Sequence, residues 1–105
     1  MYDPEFEDLD LKKVGLELMF MTPEKYSHPD GITAVELAKL VDMSLDEVKK
    51  KLIILKETGL VRSKGIKPKY WKFDEYNFQR IDEDDEVYRL LCNFDNVDFD
   101  RYFSY

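Results

Sequence analysis

A single cysteine, Cys92, excludes an intramolecular disulfide framework and fits a reducing compartment. A single histidine, His28, lies far from it in sequence, so a thiolate–imidazole zinc site within one chain is not expected. No apolar run approaches the roughly 20 residues that a membrane span needs. The opening residues, MYDPEFEDLD, are acidic and lack the basic and apolar regions of a secretory signal. A cytoplasmic location and no membrane partner are the expectations. The chain carries no phosphate-binding or dinucleotide glycine loop, no nucleophile elbow, no H-E-x-x-H zinc motif and no calcium loop. Its carboxylates have no identifiable partner base or metal set. The expectation is therefore no enzyme, no cofactor and no metal.

What is present suits one compact domain. The 105 residues are 44% hydrophobic with 15 aromatics, enough to fill a small core, and 37% charged. The net charge of −7 argues at first against a nucleic-acid partner, but its distribution does not. Between residues 49 and 72 lie nine cations and one anion, a charge of +8. The rest of the chain holds 7 cations and 22 anions, a charge of −15. Local potential, rather than the total, steers partners.

The segment 33–61 organises the chain. Thr33 with Glu36, and Ser44 with Glu47, are two S/T-x-x-E capping boxes. Ile32 with Leu37, and Met43 with Val48, supply a hydrophobic staple to each. Two start signals eleven residues apart predict a short helix, a sharp turn and a second helix. Leu45, Val48, Leu52 and Leu55 form the inward stripe of the second helix, and Gly59 ends it. Residues 60–64 and 69–73 read as a hairpin whose turn residues are Gly65 and Pro68. Trp71 and Phe73 share the covered side and Tyr70 and Lys72 the other. Ile32 predicts a short strand before the first capping box.

Before this core, residues 7–21 predict a helix with apolar residues on two sides. Leu11, Val14, Leu18 and Met21 lie on one face, and Leu9, Leu16 and Phe20 nearly opposite. The second side needs either the C-terminal segment or a second subunit. Gly15 costs about 1 kcal/mol in mid-helix and marks a close contact. After the core, residues 74–105 hold 10 anions, 3 cations and 8 aromatics. The acidic run 82–86 predicts the start of a helix over about 84–93, because anions favour a helix N-terminus. The alternative is that this run mimics DNA and competes for the basic face. The tail, FDNVDFDRYFSY, alternates aromatic and acidic residues.

Residues 32–73 resemble the winged helix-turn-helix domains of MarR- and ArsR-type transcriptional regulators. The residues that carry the resemblance are Val35-Glu36-Leu37-Ala38-Lys39-Leu40, then Met43-Ser44, then Val48, Leu52 and Leu55, then Gly59-Leu60-Val61 before a basic hairpin. The resemblance implies an α+β, mainly helical fold: a winged helix-turn-helix with an N-terminal helix and an added C-terminal helix, as one domain over 1–105. In such regulators the second helix of the motif lies in the major groove with its N-terminal residues meeting base edges, and the wing touches phosphates or the minor groove. It implies a small sequence-specific regulator that binds double-stranded DNA, and a homodimer through the N-terminal helix and C-terminal segment.

Mapped onto this sequence, the DNA-binding residues would be Lys49, Lys50 and Lys51 on helix 44–58, and Arg62, Lys64, Lys67, Lys69 and Tyr70 on the wing. Six phosphate contacts among the nine cations would give a salt slope of about −5. Asp46 and Glu47 depart from the family pattern, as do Ile53 and Ile54, one of which packs inward while the other stays partly exposed. These departures, with the acidic remainder, hold open the alternative: a winged-helix protein–protein interaction module, of phage or plasmid origin, that does not bind DNA.

Overall fold

The computed structural model describes residues 9–21 and 28–92. The lead-in over 1–6, the first part of the loop over 22–31 and the aromatic tail lie outside the described residues. The elements in chain order are α1 (Leu9–Met19), β1 (Ile32–Thr33), α2 (Ala34–Val41), α3 (Leu45–Thr58), β2 (Val61–Lys64), β3 (Tyr70–Phe73), α4 (Glu75–Phe78) and α5 (Glu86–Cys92). The fold is α+β and mainly helical, with one antiparallel sheet in the order β1-β3-β2.

At both predicted helix starts the hydroxyl caps the helix as expected. The Thr33 hydroxyl accepts from the Glu36 N–H at 3.3 Å and donates to the Glu36 carboxylate at 2.9 Å. The Ser44 hydroxyl accepts from the Glu47 N–H at 3.2 Å. Each satisfies an N–H that the first helical turn leaves without an intrahelical partner. The turn between α2 and α3 is made by Asp42 in the left-handed region, φ 56°. Its N–H and that of Met43 both donate to the Ala38 carbonyl. Aspartate is among the few non-glycine residues that visit this region readily.

Gly59 closes α3 at φ 94°, its N–H shared between the Leu55 and Lys56 carbonyls. Leu60 and Val61 are buried, and the chain runs directly into β2. The hairpin register pairs Val61 with Phe73, Arg62 with Lys72, Ser63 with Trp71 and Lys64 with Tyr70. β1 adds to the other side of β3, pairing Ile32 with Trp71 and Thr33 with Tyr70. Thr33 is thus both the last residue of a strand and the cap of α2. The start of the two-helix motif is thereby tied to the hairpin.

The core lies between the helices and one sheet face. Leu37, Val41, Val48, Leu52 and Leu55 of α2 and α3 meet Leu11, Val14 and Leu18 of α1, with Ile32, Leu60 and Trp71 beneath. α1 stops at Met19, short of the predicted Met21, because the chain tightens there: the Met21 N–H donates to Leu18, three residues back rather than four. Of the second apolar side of α1, Leu16 is buried and Phe20 half-buried, whereas Leu9 is 69% exposed. α5 packs on α1 at Gly15, where a Cβ would fall 2.4 Å from the Leu91 Cδ2.

The C-terminal helix starts at Glu86 rather than 84, and a one-turn helix, α4, precedes it. The acidic run builds this start. The Asp85 carboxylate accepts from the Val87 and Tyr88 N–H groups, and Asp84 holds Arg89 at 2.9 Å. Arg89 also donates to the Glu83 carbonyl. No helix among the described residues is long and apolar enough to cross a membrane.

Candidate functional site

The outward face of α3 follows from its inward one. With Val48, Leu52 and Leu55 fully buried, the 3.6-residue period points Asp46, Lys49, Lys50 and Ile53 to solvent. All four are exposed. Lys51 is half-buried, on a different line of the helix from Lys49 and Lys50. Ile54 packs against the core, leaving Ile53 52% exposed. Lys50 sits 3.7 Å from the Glu47 carboxylate one turn earlier.

The hairpin leans toward this face. Lys56 of α3 donates to the Ser63 hydroxyl at 2.8 Å and lies 5.9 Å from the Trp71 ring centre. Lys69 lies 5.5 Å from the same ring, so two ammonium groups attend one indole. Trp71 itself is only 6% exposed. It packs inward, as does Phe73, which meets Phe78 of α4 at 5.2 Å. The hairpin is held at its base by Asn77, whose amide donates to the Gly59 carbonyl at 2.8 Å. Asn77 is in turn placed by Asp74, which caps α4 by accepting from the Asn77 N–H.

Between the hairpin tip and α3 opens a groove of about 570 Å³. Thr33, Ala34 and Val35 line it from the start of α2, and Lys49 and Ile53 from α3. Ile66, Lys67, Pro68, Lys69 and Trp71 complete it from the hairpin. Val35 is 51% exposed and Ile66 90%. The groove therefore has an aliphatic interior with cations around it.

The eight residues expected to form one basic footprint divide into separate groups. Lys49, Lys67 and Lys69 line the groove, and Lys50 stands beside Lys49 on the same helix face. Strand alternation sends Arg62, Lys64, Tyr70 and Lys72 to the sheet face opposite the one that carries Val61, Ser63, Trp71 and Phe73. There the cations meet acids of the same chain. Lys64 lies 3.4 Å from Asp30, and Arg62 4.0 Å from Asp74. Tyr70 stacks on His28 with ring centres 4.3 Å apart and planes 15° from parallel. His28 Nδ1 accepts from the Asp30 N–H, which completes a small polar cluster at the hairpin's outer side.

The grouping has a simple cause. A count of charge along the chain ignores the two-residue period that decides which side of a strand each cation takes. The groove residues Val35 and Ile66 carried no signal as site residues, because nothing in the sequence says that an aliphatic side chain on a helix or in a loop lines a groove.

Away from the groove, burial pushes the Cys92 thiol above its ordinary range, while its hydrogen bond with Tyr88 pulls the other way. The proximity of Cys92 raises the Tyr88 hydroxyl in turn. Among the described residues, no three His, Cys, Asp or Glu side chains converge as a metal site would need. No protein-family model matches the chain, and comparisons with curated proteins and with solved structures give no match.

Proposed function

We propose that this chain is a winged helix-turn-helix protein that binds double-stranded DNA as a small cytoplasmic transcriptional regulator. α3 is the recognition helix and the β2–β3 hairpin the wing. The observation that carries this reading is the shared groove. Lys49 of α3 and Lys67 and Lys69 of the hairpin tip line one concavity, although they are separated by up to twenty residues in sequence. Cations on two elements that converge on one face suit a phosphate backbone running between them. Lysine acts there as a point charge, suited to gripping phosphates rather than reading bases.

The groove face narrows the expected electrostatics. Arg62 and Lys64 already face Asp74 and Asp30 on the other side of the sheet. Lys50 likewise faces Glu47, which leaves Lys49, Lys67 and Lys69 of the groove as phosphate contacts. Three contacts give a salt slope of about −2.7, shallower than the −5 or so expected from six. Raising salt from about 50 to about 200 mM then weakens binding by about 40-fold.

The test is an anisotropy titration of a labelled duplex at those two salt concentrations. Changing Lys49 to Gln is expected to flatten the slope by about 0.9. Changing Arg62 and Lys64 to Gln is expected to leave it in place. Binding indifferent to salt, or to Lys49→Gln, would remove the DNA reading. Two copies would read paired half-sites, and sedimentation tests this homodimer directly: a mass of one 12.6 kDa chain at high concentration rejects it.

One observation favours a second reading, a protein–protein interaction module. Val35, Ile53 and Ile66 are large aliphatic side chains exposed around the same groove. Exposed apolar surface rimmed by polar groups is also what a protein partner uses. The same titration separates the two: an interaction module shows no salt-dependent duplex binding, and Lys49→Gln changes nothing.

A further inference from the structure

α3 has an unusual outward face for a helix that reads DNA. Its sequence, LDEVKKKLIILKET, contains no arginine, asparagine or glutamine. Those are the side chains that make bidentate contacts to guanine or adenine edges in the major groove. The exposed stripe instead runs Asp46, Lys49, Lys50, Ile53. The two lysines suit phosphates. What stands in line with them, one turn further along, is a branched aliphatic group that solvent leaves without a partner.

Resting on the DNA reading above, we infer that Ile53 determines sequence preference by packing against the C5-methyl group of thymine. Thymine is the one DNA base whose major-groove edge carries a methyl group, beside its O4 acceptor, and aliphatic side chains contact that methyl there. Ile53 is placed for this in three respects. It is 52% exposed although its neighbour Ile54 packs inward, so its exposure follows from helix phase rather than from a loose helix end. It lies four residues from Lys49, about 6 Å along the helix axis, or about two base-pair steps. A lysine on a phosphate and a methyl contact in the groove can therefore be made together. Finally, it lines the same groove as Val35, Lys49, Lys67 and Lys69. The cations match the charge of the duplex, and the aliphatic side chains match the thymine methyl groups on its groove floor. Water left between an exposed isoleucine and a polar base edge would gain nothing, whereas burying a methyl against it removes both apolar surfaces from water. The occupant of this part of the groove is thus a thymine-bearing duplex, with Ile53 as a specificity-determining residue.

The experiment uses the full chain and short random-sequence duplexes recovered by binding to it. The recovered pool is prepared twice, with thymine or with uracil throughout, which removes only the C5-methyl. Binding of each form is measured by anisotropy at one low salt concentration. The wild type is expected to prefer the thymine form by about fourfold for each methyl contacted. Ile53→Ala is expected to bind both forms equally while keeping the wild-type salt slope. Ile53→Val is expected to retain part of the preference. Both changes are at an exposed helix position, so folding is checked simply by circular dichroism. Salt-dependent binding that ignores the methyl, or a methyl preference that survives in Ile53→Ala, overturns this inference and leaves the DNA reading standing. No salt-dependent binding to either form overturns both.

Discussion

Gly59 and Asn77 offer the sharpest test of how the hairpin is held against α3. Gly59 sits at φ 94°, and a Cβ built there would fall 2.0 Å from the Asn77 Nδ2. That same nitrogen donates to the Gly59 carbonyl at 2.8 Å. Gly59→Ala therefore imposes two costs. The left-handed backbone with a Cβ costs about 1–2 kcal/mol. Expelling the Asn77 amide loses a partly buried hydrogen bond, about 1 kcal/mol more. The expected loss of about 2–3 kcal/mol lowers the melting temperature by about 10–20 °C in a domain of this size. Asn77→Ala alone is expected to cost about 1 kcal/mol, since only the bond is lost.

The double variant distinguishes this account from simple addition. Once Gly59→Ala has expelled the amide, removing the asparagine costs nothing further, so the pair is expected to cost no more than Gly59→Ala alone. Urea unfolding of the four proteins gives the coupling energy, expected near 1 kcal/mol. Fully additive losses would refute the reasoning, because they would mean that alanine at 59 leaves the Asn77 bond intact.

Other expectations follow from the same geometry. Gly15→Ala gains about 1 kcal/mol of helix propensity but places its methyl against three atoms of the fully buried Leu91. Net destabilisation by about 1 kcal/mol is expected, and Gly15→Ala with Leu91→Val is expected to recover part of it in thermal unfolding. Ser44→Ala removes the cap of α3 and is expected to cost about 1 kcal/mol by the same measurement. The Cys92 thiol holds its proton more tightly folded than unfolded. Its contribution is therefore complete below the unfolded value and lost as pH rises through the folded one. Stability is expected to fall above about pH 9, and Cys92→Ala to flatten that fall in urea midpoints measured across the range.

Local chemistry made much of the fold legible. A hydroxyl three residues before a glutamate, twice, located the two helix starts to the residue, because a cap depends on neighbours in sequence. Gly59 and the alternation of 70–73 placed the hairpin strands to within one residue at their starts. α4 escaped notice because one turn is too short for periodicity, although Asp74 three residues before Asn77 is a cap signal of the same kind. The site was less legible. Asp30 and Asp74 neutralise Lys64 and Arg62 from distant parts of the chain, and nothing local announces such pairings. The division of the cations between two faces of the hairpin was present in the odd and even numbering of 61–64 and 70–73. It becomes visible only when charge is read with the pleat rather than along the chain.

Among the described residues the strand order leaves β2 at the margin of the sheet, with β3 on one side only. Such a margin is a template for unwanted pairing with another molecule of the same kind. Here it is four residues long and carries Arg62 and Lys64 on its exposed face. Those cations are paired with Asp74 and Asp30, so it is the shortness of the strand that limits such pairing.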